Sequence, residues 1–260
     1  VQAALRLDAF LDRVDRYADE RNRPDLDSTS HLSADLKYGT LSPRRVIVET
    51  GEETAGRAAL VRQICWRDFY AHVLHHFPHT ATRSLRSEYD AIEWHTDEDA
   101  FEAWCSGRTG YPIVDAGMRQ LLAEGWMHNR VRMITASFLV KDLLIDWRKG
   151  ERHFRRYLVD GDVAQNVGNW QWTAGTGADA APYFRIFNPD TQLEKFDPDG
   201  TYTRRWIAEG QGAPSRTALS YFDAIPESWP MSASDRYPAP IVDLGASRKR
   251  ALQVYENRDF

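Results

Sequence analysis

The chain has 260 residues, 27% of them charged, with a formal net charge of −5. That length suits one large domain or two small ones around a sizeable core, and the composition excludes a disordered chain. The acid excess excludes nucleic-acid binding through overall charge and leaves only a local basic patch for it.

Two cysteines, Cys65 and Cys105, lack metal-type spacing and point to a reduced, cytoplasmic compartment. No apolar run approaches the length of a membrane span. The nine tryptophans are the unusual feature, and some of them serve either packing or function.

Apolar residues recur at helical spacing from Ala3 to Arg21, and Pro24 ends that element. A Ser/Thr-rich stretch leads into a short helix that Gly39 stops. Ser42 and Pro43 have the chemistry of an N-cap and first helical residue. A long helix is predicted from Glu52 to Phe77, ended by Pro78, then an irregular stretch over 79–97 and a helix from Glu98 to Ser106. Pro112 opens another helix, which Gly125 ends. "MHNRVRMITASFLVKDLLIDW" reads as one amphipathic helix of about five to six turns. Helices are predicted at 151–159 and 162–174, with short ones near 189–196 and 200–208. From 210 to 240 prolines punctuate what reads as a surface wrap. No alternating run supports a sheet, so the expected class is an all-α helical cluster.

Four stretches carry chemistry beyond packing. "STSHLS" (28–33) offers hydroxyls and backbone N–H groups that suit an anion, although a plain helix cap would look the same. "WRDFY" (66–70) sets Arg67 between aromatics, with Trp66 and Tyr70 on one face; this suits a stacked base or a core stripe equally. "GWMHNRVRM" (125–133) turns Asn129 and Arg132 one way and Arg130 another, as a site or as a solvated charged face. "DGDVAQNVGNWQW" (160–172) places Asp160 and Asp162 at a helix start, with Asn166 and Trp170 one turn apart on one face. Carboxylate, amide and indole in sequence fit a planar heteroaromatic ligand such as a flavin. His72, His75, His76 and His79 share helical spacing, but carboxylates in ligand register are missing, so no metal site is assigned.

"GRTGYPIVDAGMRQLLAEGWMHNRVRMITASFLVKDLLIDWRKGERHFRRYLVDGDVAQNVGNWQW", "TSHLS", "WRDFYAHVLHHFP" and "YFRIFNPDTQLEKFD" together resemble the flavin-binding helical domain of DNA photolyases and cryptochromes. The resemblance runs from about Tyr17 to Trp206 and is strongest to class I cyclobutane pyrimidine dimer photolyases of bacterial type. It implies a compact FAD-binding helical cluster without the family's N-terminal α/β antenna domain, hence a C-terminal fragment or truncated member with no antenna chromophore. One domain is expected over 1–260, with phosphate-cradle helices in about 1–80, the flavin and lesion pocket in about 85–210 and a surface tail in 210–260.

The same resemblance implies roles. Tyr17, Thr29, Ser30, His31, Leu32, Ser33 and Arg67 would hold the FAD phosphates and ribose. Asn129, Arg132, Asp160, Gly161, Asp162 and Asn166 would face the flavin, with Arg132 paired to Asp160 and Asn166 opposite N5. Trp66 and Trp172 would grip a flipped pyrimidine dimer, with Met133, Gln63, Tyr70, Asn129 and Arg67 nearby. Arg21, Arg130, Arg185 and Gln192 would contact DNA. Trp170, Trp147 and Trp94 would relay electrons to photo-excited flavin.

The implied activity is light-driven dimer repair by electron transfer from FADH⁻, in a monomeric cytoplasmic enzyme acting on UV-damaged DNA. A cryptochrome-like photoreceptor, or a nucleic-acid-binding domain with a vestigial flavin site, are the alternatives. Asn166 favours repair. Gln63 departs from the family's usual glutamate and puts repair efficiency in question.

Overall fold

The computed structural model of the chain describes residues 1–229 and 231–256. The first group of helices is α1 (Gln2–Leu11), α2 (Tyr17–Glu20), α3 (Ser33–Tyr38), α4 (Pro43–Thr50) and α5 (Ala55–His76). There follow α6 (Glu98–Cys105), α7 (Pro112–Glu124), α8 (Asn129–Ser137), α9 (Trp147–Tyr157) and α10 (Val163–Ala174). The last are α11 (Pro189–Phe196), α12 (Thr201–Trp206), α13 (Arg216–Ala224) and α14 (Leu244–Glu256). Among the described residues the strand-type pairing is a single parallel bridge between His95 and Ile145, and the molecule is an all-α cluster.

Local chemistry sets most helix ends. Thr54, Asp97 and Asp162 accept backbone N–H groups at the starts of α5, α6 and α10. Left-handed glycines close α3, α7 and α10 at Gly39, Gly125 and Gly175. Ser42 precedes Pro43 as expected, but its side chain makes no cap bond.

Two large apolar cores form, beside a small cluster of Tyr89, Ile92, Leu144 and Tyr255. The smaller gathers Leu7, Phe10, Val14, Leu36, Val46 and Ile64 from α1, α3, α4, α5 and the turn between α1 and α2. The larger is built mainly from α6 to α10, with Trp104, Met118, Val131, Phe138, Trp147 and Trp170 at or near zero exposure. Helix α10 packs on α5 at one side and α9 at the other. Glycines allow both approaches: a Cβ on Gly168 would lie 2.2 Å from the Tyr70 ring, and one on Gly150 would lie 2.2 Å from the Trp170 ring. The cavity described below opens where these two cores meet.

The predicted first helix, Ala3 to Arg21, is broken. The chain leaves α1 at Asp12, makes a 3₁₀ turn over Val14–Arg16 and restarts as α2. The cause is tertiary. Gly56 of α5 presses against the Val14 and Asp15 carbonyls, and the Thr54 hydroxyl donates to Asp15 at 2.7 Å.

The predicted amphipathic helix over 127–147 is also corrected. Helix α8 passes into a π-helical turn over Phe138–Asp142, Leu144 takes a positive φ of 54°, and α9 starts afresh at Trp147 with Asp146 as its cap. This stretch has no wet face to keep one helical period in register: every residue from Ile134 to Ile145 is buried.

The expected surface tail is likewise different. Tyr221 of α13 is fully buried and Tyr255 of α14 nearly so. Arg119 of α7, fully buried, makes a bidentate pair with Glu209 at 2.6 and 2.8 Å. Buried Asp115 accepts from Tyr237 at 2.6 Å as well as from Thr109 and Gly110. These bonds tie the segment to the larger core.

Candidate functional site

A cavity of about 590 Å³ lies between α5, α8, α9, α10 and the loop before α3. Almost all of the predicted site residues line it. From the N-terminal helices come Tyr17, Arg21 and the run Thr29, Ser30, His31, Leu32, Ser33; from α5 come Gln63, Trp66, Arg67 and Tyr70. Helix α8 contributes Asn129, Arg130, Arg132 and Met133, and the stretch into α10 contributes Asp160, Gly161, Asp162, Asn166, Trp170 and Trp172. Segments up to a hundred and more residues apart thus share one wall. Arg185, Gln192, Trp147 and Trp94 lie outside the lining; Arg185 is exposed, Trp147 buried and Trp94 partly buried in the larger core.

The floor of the cavity is charged and paired. Arg132 donates to Asp160 at 2.8 Å and to the Met127 carbonyl at 2.7 Å. Burial pushes the Asp160 carboxyl up, but Arg132 and the Ser33 hydroxyl outweigh it and hold it below its ordinary value. The second oxygen, Asp160 Oδ1, is buried and has no donor among the described residues. An acceptor of this kind in a cavity wall fits a ligand that brings N–H or O–H groups. Asp162 divides its carboxylate between the Gln165 backbone N–H at 3.0 Å and Arg67 at 3.6 Å. Arg67 is held in turn by the Leu36 carbonyl at 3.1 Å.

Asn166 is nearly buried, and its amide nitrogen donates twice to Glu151, to the backbone carbonyl and to the carboxylate, each at 3.0 Å. Its donor capacity is therefore spent and its carbonyl oxygen is the end left for a ligand. Glu151 is 2% exposed and lies 3.3 Å from Arg155. Burial raises its pKa, against Arg155 and Asn166. Sequence reasoning missed Glu151. Its signal was an acidic residue at four-residue spacing before Arg155, which reads equally as a surface pair. Lys37, Trp126, Gln165 and Asp179 also line the cavity and were missed.

The mouth is aromatic. Trp66 is 41% exposed, lies 5.3 Å from Phe69 and 6.1 Å from Tyr70 between ring centroids, and borders the cavity together with Gln63 and Trp172. Arg130 lines the same cavity as Arg132 but takes a different partner, donating to Asn22 at 2.8 Å. His31 has a left-handed φ of 52° and its ring lies 4.5 Å from that of Trp126. The resulting wall offers hydroxyls and cations, a buried acceptor in Asp160, and flat rings at the rim. It suits a ligand with phosphates and a planar hydrogen-bonding head, with room at the mouth for a second aromatic molecule.

Among the described residues no group of three or more His, Cys, Asp and Glu is arranged to hold a metal ion. On the exposed face of α5 His72 stacks on His76, and His75 meets His76 edge-on. No helix among the described residues is long and apolar enough to cross a membrane.

Residues 60–257 match the family described as the FAD binding domain of DNA photolyase. The chain is 47% identical over 259 residues to a deoxyribodipyrimidine photo-lyase of Agrobacterium fabrum, covering 96% of this chain and 54% of that protein. It is 47% identical over 249 residues to the Escherichia coli protein of the same name, covering 92% and 52%. The crystal structure of a bacterial class III photolyase from Agrobacterium tumefaciens superposes with a TM-score of 0.86 at 47% identity, over 98% of this chain and 55% of that one. A cryptochrome from Synechocystis gives 0.83 at 34% identity, over 97% and 55%. The chain spans about half the length of these relatives. The cavity's residues and the matches across most of the chain agree: this chain belongs to the DNA photolyase family and carries that family's FAD-binding domain.

Proposed function

We propose that this domain binds FAD in the cavity and repairs cyclobutane pyrimidine dimers in UV-damaged DNA under blue or near-UV light. One observation carries the reading: the charged, hydroxyl-lined floor and the exposed aromatic rim belong to a single cavity. A cofactor at the floor and a flipped-out pyrimidine dimer at the rim would therefore be in contact, as an enzyme acting on a base requires.

The residues divide the work. Thr29 to Ser33 and Arg67 hold the phosphates and ribose. The Arg132–Asp160 pair and Asp162 fix the charge beside the isoalloxazine ring, and Asn166 presents its carbonyl to N5–H. Trp66 and Trp172 grip the dimer, with Met133 and Gln63 against it. Arg21, Arg130, Arg185 and Gln192 contact the DNA. Bound and reduced, FAD supplies a light-excitable one-electron donor; the protein supplies binding, orientation and electrostatics. Trp170, Trp147 and Trp94 carry electrons inward to restore that reduced state. The protein works as a cytoplasmic monomer.

A cryptochrome-like photoreceptor is the second reading. It is favoured by Gln63, which cannot supply the carboxylate expected against the damaged base, and by the similarity to a cryptochrome noted above.

The absorption spectrum of the purified protein tests the cofactor, and a repair assay on dimer-containing DNA tests the reaction. Bound FAD with no light-dependent repair selects the photoreceptor. Folded protein that takes up no FAD refutes both.

A further inference from the structure

We propose that a hollow beside the cavity mouth, on the outer face of α5, is a second nucleobase subsite. It takes the nucleobase adjoining the lesion on the same strand and favours guanine there. The inference rests on the cavity mouth holding the flipped-out dimer. The hollow has a volume of about 470 Å³ and is lined by Arg62, Cys65, Trp66, Phe69 and Asp179. That volume lies in the ordinary range for a small-molecule site. The four α5 residues stand at i, i+3, i+4 and i+7, so they form one stripe along the helix. All four are exposed, whereas Ala59, Leu60 and Ile64 are buried. Helix α5 is therefore apolar on two faces, one of them wet. The fold leaves Trp66 41% and Phe69 38% exposed there, side by side.

The shape of the hollow suits a flat ring. Trp66 and Phe69 meet at an interplanar angle of 87° with centroids 5.3 Å apart. They form a corner in which a base stacked on one ring is braced by the edge of the other. Trp66 and Asp179 line the hollow and the cavity alike, so they are the partition between the two. A strand whose dimer enters the cavity carries its next nucleotide across this partition, and the hollow is where that nucleotide arrives.

The charges sort the occupant. Among the described residues neither Arg62 nor Asp179 has an ion-pair or side-chain hydrogen-bond partner. Arg62 offers a cation to the phosphate that links the next nucleotide to the dimer. Asp179 cannot serve a phosphate, because a carboxylate only accepts hydrogen bonds and repels a like charge. It can serve a base edge. Guanine presents two N–H groups side by side, and adenine and cytosine one amino group each. Thymine presents a single N–H between two carbonyl oxygens, which repel the carboxylate. The Asp179 charge reaches the partition: burial first, and then Asp179, pushes the Tyr70 phenol up to about 12.

The test uses the FAD-loaded chain in the dark with short single strands that contain one thymine dimer. Cys65 is exposed and Cys105 buried, so Cys65 is the thiol that reacts. A base whose tether ends in a mixed disulfide is placed at each position in turn, and Cys65 displaces the small thiol to form a cross-link. Cross-linking is expected to be fastest at one of the two positions adjoining the dimer; equal rates along the strand would overturn the subsite. With unmodified strands, guanine at that position is expected to bind about tenfold tighter than thymine or an abasic site. Phe69→Ala is expected to weaken the guanine strand about tenfold and leave the abasic strand unchanged. Asp179→Asn is expected to erase the difference between guanine and thymine. Equal affinity of the wild type for all three strands would overturn the subsite and leave dimer binding in the cavity standing. No preference for dimer-containing over undamaged strands would overturn both. A concentration-dependent dimer of the chain that Phe69→Ala dissolves would assign the stripe to a second copy and overturn the proposal.

Discussion

Replacing Arg132 with Met probes the floor of the cavity most directly. The guanidinium of Arg132 is 23% exposed, whereas the Asp160 carboxylate beneath it is 2% exposed. Removing the cation strips Asp160 of its 2.8 Å partner and leaves Ser33 as its remaining side-chain donor. Breaking a buried pair from one side costs about 3–5 kcal/mol, and the partial exposure of Arg132 places this case near the lower end, at about 3 kcal/mol. Asp160→Asn leaves a cation that can turn to water and should cost only about 1 kcal/mol. The double variant should then recover about 2 kcal/mol relative to the sum of the two.

The pH dependence has a definite sign. In the wild type the lowered Asp160 pKa contributes stability that is full above about pH 4 and is lost as pH falls through the lowered value. In Arg132→Met burial acts nearly unopposed, so the carboxyl pKa rises and its cost disappears on protonation. The gap between the two proteins is therefore widest near neutrality and narrows as pH falls toward about 4. Urea unfolding of FAD-free protein at several pH values measures it as a shift in midpoint at constant slope. A gap under about 1 kcal/mol at neutral pH, or one that stays constant with pH, would refute the electrostatic account of this pair.

Trp170→Phe should slow photoreduction of oxidised flavin far more than Trp66→Phe does; equal rates would remove Trp170 as first donor. Trp66→Ala should weaken binding of dimer-containing DNA by about 1–3 kcal/mol, the usual loss for one stacking platform, and unchanged binding would place the lesion elsewhere. Gln63→Glu should raise the repair yield per absorbed photon while the flavin spectrum stays as it was, since it restores a carboxyl against the damaged base; an altered spectrum with unaltered repair would put residue 63 against the cofactor. Gly168→Ala should destabilise by about 1–3 kcal/mol, because the new methyl must displace the Tyr70 ring, and an unchanged thermal midpoint would contradict the close packing of α10 on α5.

Local rules made much of the helical framework legible. Pro43, Pro112 and Pro189 open helices and Gly39 and Gly125 close them, because φ and the missing N–H act within a residue or two of where they stand. Asp162, Asn166 and Trp170 were readable as one helical face, with Asp160 at its start, for the same reason, and similarity to a family brought the distant loop at Thr29–Ser33 and the α5 face to it. Five outcomes belonged to the tertiary structure alone. The first helix breaks at Asp12 because α5 presses on it at Gly56. The stretch after Ser137 widens into a π turn, where it is buried on every side. The segment after Glu209 enters the core because a buried arginine ninety residues earlier claims that glutamate. Glu151 fixes the Asn166 amide, and Trp104 becomes the ring neighbour of Trp170. Periodicity states which face of an element is apolar or polar. It does not state which other element that face will meet, and a buried charge or an indole in a relay takes its role from the partner it meets.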